Sequence, residues 1–83
     1  MVGMKNQRKP FGQVLRELRI KAGLTQEELA ARLDYNSSGY ISRLELGEKK
    51  PSVELLFAIA QALQVKAWII VQMMEEEKKP QAT

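Results

Sequence analysis

The chain has 83 residues, 45% hydrophobic and 28% charged, and 13 Lys plus Arg against 10 Asp plus Glu give a formal net charge of +3. That balance describes one small globular domain, and a chain near this length buries little more than roughly 60% of its surface, so its contacts must be local and mostly helical. The sequence holds no Cys and no His, which excludes disulfides, thiolate nucleophiles, imidazole bases and the usual zinc sites.

Residues 1–9, with Lys5, Arg8 and Lys9, read as a basic flexible arm. The first helix follows Pro10, with Phe11, Val14, Leu15, Leu18 and Ala22 on one face, and Gly23 closes it. Thr25-Gln26-Glu27-Glu28 opens the second helix as a capping box, in which Thr25 caps the Glu28 amide and the Glu28 carboxylate reaches back. Leu29, Ala30 and Leu33 form its buried face. Only Leu24 separates that cap from Gly23, so the first two helices must turn sharply against each other.

The stretch DYNSSG interrupts the pattern with residues that favour turns and caps, and Tyr40, Ile41 and Leu44 resume it in a third helix over about residues 38–46. After Gly47 and the polar GEKKP loop, Pro51-Ser52 sets up a fourth helix on Leu55, Leu56, Ile59, Ala60 and Leu63. A fifth segment runs from Lys66 to Met74. Its Trp68 is expected to close the bottom of the core, and Ile70, Val71, Met73 and Met74 cover so many sides that a dimer interface is expected there. The class is all-α, a compact five-helix domain over residues 10–74, followed by a charged tail, 75–83, read as disordered. The longest apolar run, AWII plus Val71, is far short of the roughly 18 residues a membrane span needs, and residues 1–10 lack a signal-type apolar stretch. A soluble, cytoplasmic protein with no membrane contact is expected.

Charge is unevenly placed. Residues 1–24 carry six cations against Glu17 alone, a net +5, whereas residues 51–83 carry three cations against four carboxylates, a net −1. A basic front suggests a polyanionic partner met by one side of the molecule. Two short helices joined by a tight turn, the second offering polar residues, form the helix-turn-helix layout.

LRELRIKAGLTQEELAARL at 15–33, YISRLELGEKKPS at 40–52 and LLFAIAQALQV at 55–65 closely resemble the Cro and lambda-repressor-like helix-turn-helix family, also called the XRE family. The resemblance spans about residues 11–70 and implies a sequence-specific DNA-binding transcriptional regulator, usually a dimer on a near-palindromic operator. It needs no cofactor and no catalytic residue. The positions matching the family's base-reading residues are Ser38, Gly39 and Arg43. Arg43 is suited to O6 and N7 of guanine. Gly39 has no side chain to offer, so Tyr40 or Asn36 is expected to take part of its role.

The residue matching Gln26 grips a backbone phosphate in the family, and Thr25 and Ser37 are expected beside phosphates too. Lys49 and Lys50 lie near the family's phosphate approach, and Arg8 and Lys9 would extend it from the arm. The resemblance also pairs Arg19 with Glu45 as a partly buried structural ion pair. This chain departs from the family in a turn one residue longer, with Asp34 where many members have glycine, and in Leu46, where a polar or basic residue is common. Two other functions fit the same residues: an antitoxin that represses its own operon and masks a toxin with its charged tail and the apolar helix before it, and an adaptor that uses the fold to bridge proteins.

Overall fold

The computed structural model describes residues 9–75. Arg8 and the rest of the expected arm, and residues 76–83 of the expected tail, lie outside the described residues. Five helices follow one another: α1 (Phe11–Lys21), α2 (Gln26–Arg32), α3 (Gly39–Leu46), α4 (Val53–Leu63) and α5 (Ala67–Glu75). No strand occurs among the described residues, and no single helix among them is long and apolar enough to cross a membrane.

The first four helices end alike. In each, a residue in the left-handed conformation reverses the chain, and the next amide donates back to a carbonyl in the last turn. Gly23 (φ 77°) and Gly47 (φ 84°) do this without a Cβ, while Asp34 (φ 64°) and Gln64 (φ 61°) adopt the same conformation with one. The returning bonds are Leu24 N–H to Arg19 O (3.1 Å), Tyr35 N–H to Ala30 O (2.9 Å), Glu48 N–H to Arg43 O (2.9 Å) and Val65 N–H to Ala60 O (2.9 Å). Leu24, Tyr35 and Val65, the residues after three of these reversals, pack against the core. The ends of α1, α2 and α4 are thereby fastened by an apolar contact as well as by backbone bonds.

The core is built from Val14, Leu15 and Leu18 of α1, Leu29 and Ala30 of α2, Ile41 and Leu44 of α3, Ile59, Ala60 and Leu63 of α4, and Ile70 of α5. Helix α1 is the hub, packed against both α3 and α5, while α2 packs on α3 and α4. Gly12 makes the first of these contacts close: a Cβ there would collide with the backbone carbonyl oxygens of Leu44 and Glu45. Arg32 Nη1 donates to Ala62 O (2.9 Å) and ties the end of α2 to α4.

Helix α5 corrects two expectations. Ile70 is 1% exposed and belongs to the core, and Met73 and Met74 pack half-buried against it, so these three do not form a free interface. Trp68, expected inside, is 61% exposed. Both follow from helical phase: Ile70, Met73 and Met74 share one face, and a residue two positions before Ile70 is rotated about 200° away from it. Val71, 43% exposed, remains on the outer side. The expected arm is shorter at its inner end, because Lys9 N–H donates to Met74 O (2.9 Å) near the end of the described residues.

Candidate nucleic-acid interface

Helix α3 turns Ile41 and Leu44 into the core, and that phase decides which side chains face out. Gly39, Arg43 and Leu46, at i, i+4 and i+7, form an exposed stripe, and Asn36 and Ser37 are exposed in the turn that leads into it. Arg43 has no side-chain partner among the described residues. Ser38 is half-buried at the helix start and makes no side-chain capping bond; Ser37 Oγ instead accepts from Gly39 N–H at 3.4 Å. The Ser38 hydroxyl is thus left available, and the Ser37 oxygen is partly engaged.

Tyr40 sits differently from the role expected of it. Its half-buried ring packs against the core and meets Tyr35 edge-on, with centroids 5.5 Å apart and planes at 88°. Burial, and secondarily Tyr40 itself, pushes the Tyr35 phenol above its ordinary pKa. The Tyr40 ring is a wall of α3, and its hydroxyl, which has no hydrogen-bond partner among the described residues, is the part left to compensate for Gly39.

The orientation of α3 is fixed by a polar junction. Arg19 on α1 donates through Nε to Glu45 Oε2 (2.6 Å) and through Nη2 to Glu45 Oε1 (3.2 Å), a two-pronged pair with side chains only 11% and 4% exposed. Its Nη1 donates to Leu24 O (2.8 Å), and Gln26 Nε2 joins by donating to Glu45 Oε1 (2.9 Å). One carboxylate at the end of α3 therefore ties down α1 and the start of α2. The Gln26 bond was not visible in the sequence, since nothing local connects residues 19 positions apart. It leaves the second amide hydrogen of Gln26 and its backbone N–H as the groups that could meet a phosphate.

At the start of α2, Thr25 Oγ1 accepts from Glu28 N–H (3.0 Å) and Thr25 N–H donates to Glu28 Oε1 (2.8 Å). The Thr25 hydroxyl accepts in this box and keeps its own proton for an outside acceptor. Beyond α3, Glu48 N–H and Lys49 N–H both donate to Arg43 O, at 2.9 and 3.4 Å, so the loop carrying the exposed Lys49 and Lys50 is fastened to the backbone of the same residue that presents its guanidinium outward. Lys9 is placed otherwise than on an arm: its ammonium pairs with Glu17 Oε1 at 3.2 Å. Gln13 and Lys9, both bonding to the Glu17 carboxylate, hold it below its usual pKa. Lys9 also borders the groove that contains Lys49 and Lys50, where Phe11, Leu44 and Leu56 supply apolar walls.

A helix-turn-helix family model matches residues 15–67. An HTH-type transcriptional regulator of Sinorhizobium fredii, itself uncharacterised, is 47% identical over 58 residues, 70% of this chain and 74% of that one. The crystal structure of the clp gene regulator ClgR from C. glutamicum superposes with a TM-score of 0.76 at 34% identity, covering 86% of this chain and 91% of that one. The P22 c2 repressor, crystallised with a synthetic operator, superposes with a TM-score of 0.68 at 28% identity, covering 78% and 97%.

Proposed function

Because the chain belongs to the helix-turn-helix family and is a DNA-binding transcriptional regulator, we propose that it acts as a dimeric repressor that lays α3 in the major groove of a near-palindromic operator. The observation that carries this reading is the exposed stripe of α3, with Arg43 extended from it and unpaired among the described residues. The major groove admits an α-helix and shows a distinct donor and acceptor pattern for each base pair, and a guanidinium matches O6 and N7 of guanine in two bonds. Gly39, one turn earlier, lets the helix backbone come close to the base edges. Ser38 and Asn36 supply the remaining polar groups, while Thr25, Gln26, Ser37, Lys49 and Lys50 hold the flanking phosphates and fix the register. Occupying a promoter in this way blocks polymerase without any catalytic group.

Selection of bound sequences from a random duplex pool at about 150 mM salt tests the proposal. The expected product is a motif with half-sites about 10 to 10.5 base pairs apart, or a multiple of that spacing. Arg43→Ala should lose one guanine preference and about 1 to 3 kcal/mol of affinity, with its melting temperature unchanged. Absence of any enriched motif would overturn the reading, and a motif unaltered by Arg43→Ala would remove Arg43 from the base-reading set.

A further inference from the structure

Among the described residues the most exposed large apolar side chain is Leu46, 71% exposed at the end of α3. It closes the stripe that begins at Gly39. Seven residues turn an α-helix by about 700°, so Leu46 stands within about 20° of Gly39 around the axis, and it lies about 4.5 Å beyond Arg43 along it. One apolar residue on a surface is ordinary by itself. This one shares the face of Arg43, and its position is fixed from both sides: Glu45 before it is held by Arg19 and Gln26, and Glu48 N–H after it returns to Arg43 O (2.9 Å). The groove beside the helix end is lined by Leu44 and Gly47 and leaves Leu46 out.

The chemistry of the major groove selects what such a side chain can meet. Base edges there offer hydrogen-bond donors and acceptors and one apolar group, the C5-methyl of thymine. A leucine laid over N7, O6, O4 or an amino group would strip water from a polar atom and give it no partner. Over a thymine methyl, both surfaces gain by leaving water. Reach is the other condition, because a leucine is much shorter than an arginine. Gly39 meets it: on the same line of the helix there is no Cβ, and apart from the helix itself and the chain neighbours only Ser37 Oγ lies within 4 Å of where one would sit, at 3.7 Å. No side chain at that point holds α3 away from the base edges, so the helix can seat deeply enough for Leu46 to touch them. With bases about 3.4 Å apart along a strand, the offset from Arg43 puts the methyl one or two steps from the guanine assigned to Arg43.

We propose that Leu46 is a specificity-determining residue that reads the C5-methyl group of a thymine in each half-site. This contact rests on the reading of α3 as the helix in the major groove, and it adds a discrimination that hydrogen bonding cannot supply. Arg43 separates base pairs by their donors and acceptors, and Leu46 separates them by a methyl group. Because the methyl is the recognised feature, a cytosine methylated at C5 serves in the same place.

The test pairs one change in the protein with single-group changes in the DNA. In the duplex selected from the random pool, each thymine of a half-site is replaced in turn by deoxyuridine, which lacks the C5-methyl and keeps every donor and acceptor. The wild type should lose about fourfold in affinity at one position within two steps of the Arg43 guanine, the value of one buried methyl group. Leu46→Ala keeps a strong helix former at an exposed site, so its melting temperature should match the wild type, and it should bind the thymine and uracil duplexes nearly equally. Cytosine placed at the same position should weaken the wild type, and methylating its C5 should recover about fourfold in the wild type and little in Leu46→Ala. An effect of the missing methyl on DNA shape would appear equally in both proteins. A wild type indifferent to uracil at every position, or a loss of equal size in Leu46→Ala, overturns the proposal and leaves base reading by Arg43 intact. Uniform weakening by Leu46→Ala on all duplexes, with no dependence on the methyl, would place the leucine against the sugar backbone and overturn it as well. If the pool yields no motif, the DNA-reading role of α3 falls, and the methyl contact falls with it.

Discussion

Helices α3 and α5 are nearly equal in length, 8 and 9 residues, and each slots one apolar edge into the same core, yet they are held by different forces. Directional bonds hold α3: the Glu45 carboxylate joins Arg19 and Gln26, the close approach of Gly12 sets its spacing from α1, and two amides return to the Arg43 carbonyl. Helix α5 is held by the apolar packing of Ile70, Met73 and Met74 and by the backbone bond from Lys9. Directional bonds fix an angle, whereas apolar packing mainly fixes which side is hidden. An element that must match base edges needs the first kind of support.

Removing the directional anchor is the most forceful way to break this contrast. Glu45→Ala leaves the Arg19 guanidinium without its carboxylate in a site where its side chain is 11% exposed, at a cost of about 3 to 5 kcal/mol. In a domain this small, thermal unfolding followed by circular dichroism should shift down by more than about 10 °C. An unchanged melting temperature with lost DNA binding would mean that Glu45 serves recognition rather than the fold. Gly12→Ala attacks the same junction sterically. Its Cβ has no room against the Leu44 and Glu45 carbonyls, so α1 and α3 must separate, for a loss of about 1 to 3 kcal/mol. Equal stability of this variant would show that the two helices slide apart freely. Gln72→Ala on the exposed side of α5 is the matching control and should change neither stability nor half-site binding.

The loop after α3 gives a smaller effect, confined to DNA. Lys49→Ala and Lys50→Ala should each reduce the slope of log K against log salt by about 0.9 if that lysine neutralises one phosphate. Their melting temperatures should match the wild type, because both side chains are exposed. A slope that does not move would place the lysine in solvent.

What the sequence made legible divides along the same line. The capping box at Thr25 and the glycines at 23 and 47 are local chemistry, so helices α1 to α3 could be bounded from a few adjacent residues. The phase of α5 could not. Trp68, Ile69, Ile70, Val71, Met73 and Met74 leave hardly any polar face, and a periodic pattern needs a polar side to define the apolar one. Packing against α1 and α4 decides the matter and sends Ile70 inward and Trp68 outward. The Arg19 and Glu45 pairing is implied by family resemblance alone, because two residues 26 positions apart carry no local signature of it. Gln26 as its third member, and the tight crossing at Gly12, depend on how three helices converge and had no sequence signal.

The left-handed helix ends allow the finest test. Gly23 and Gly47 adopt this conformation without penalty, but Gln64 at the end of α4 adopts it with a Cβ, at φ 61° and ψ 39°. A non-glycine residue there carries a backbone cost of roughly 1 to 2 kcal/mol, part of which glycine gives back through its greater freedom in the unfolded chain. Gln64 is exposed and makes no side-chain hydrogen bond among the described residues, so little is lost with its side chain. Gln64→Gly should therefore raise stability by about 0.5 to 1 kcal/mol, read as a melting temperature a few degrees higher. Because the reversal at Gln64 leads into α5 and lies away from the α3 stripe, half-site affinity should not change. Asp34→Gly relieves the same strain in the turn that delivers α3, and there the gain in stability should come with weaker binding, since a looser turn admits more orientations of the reading helix. Equal DNA affinity in both variants would show that Glu45 and Gly12 alone fix α3, and that the turn before it contributes only connection.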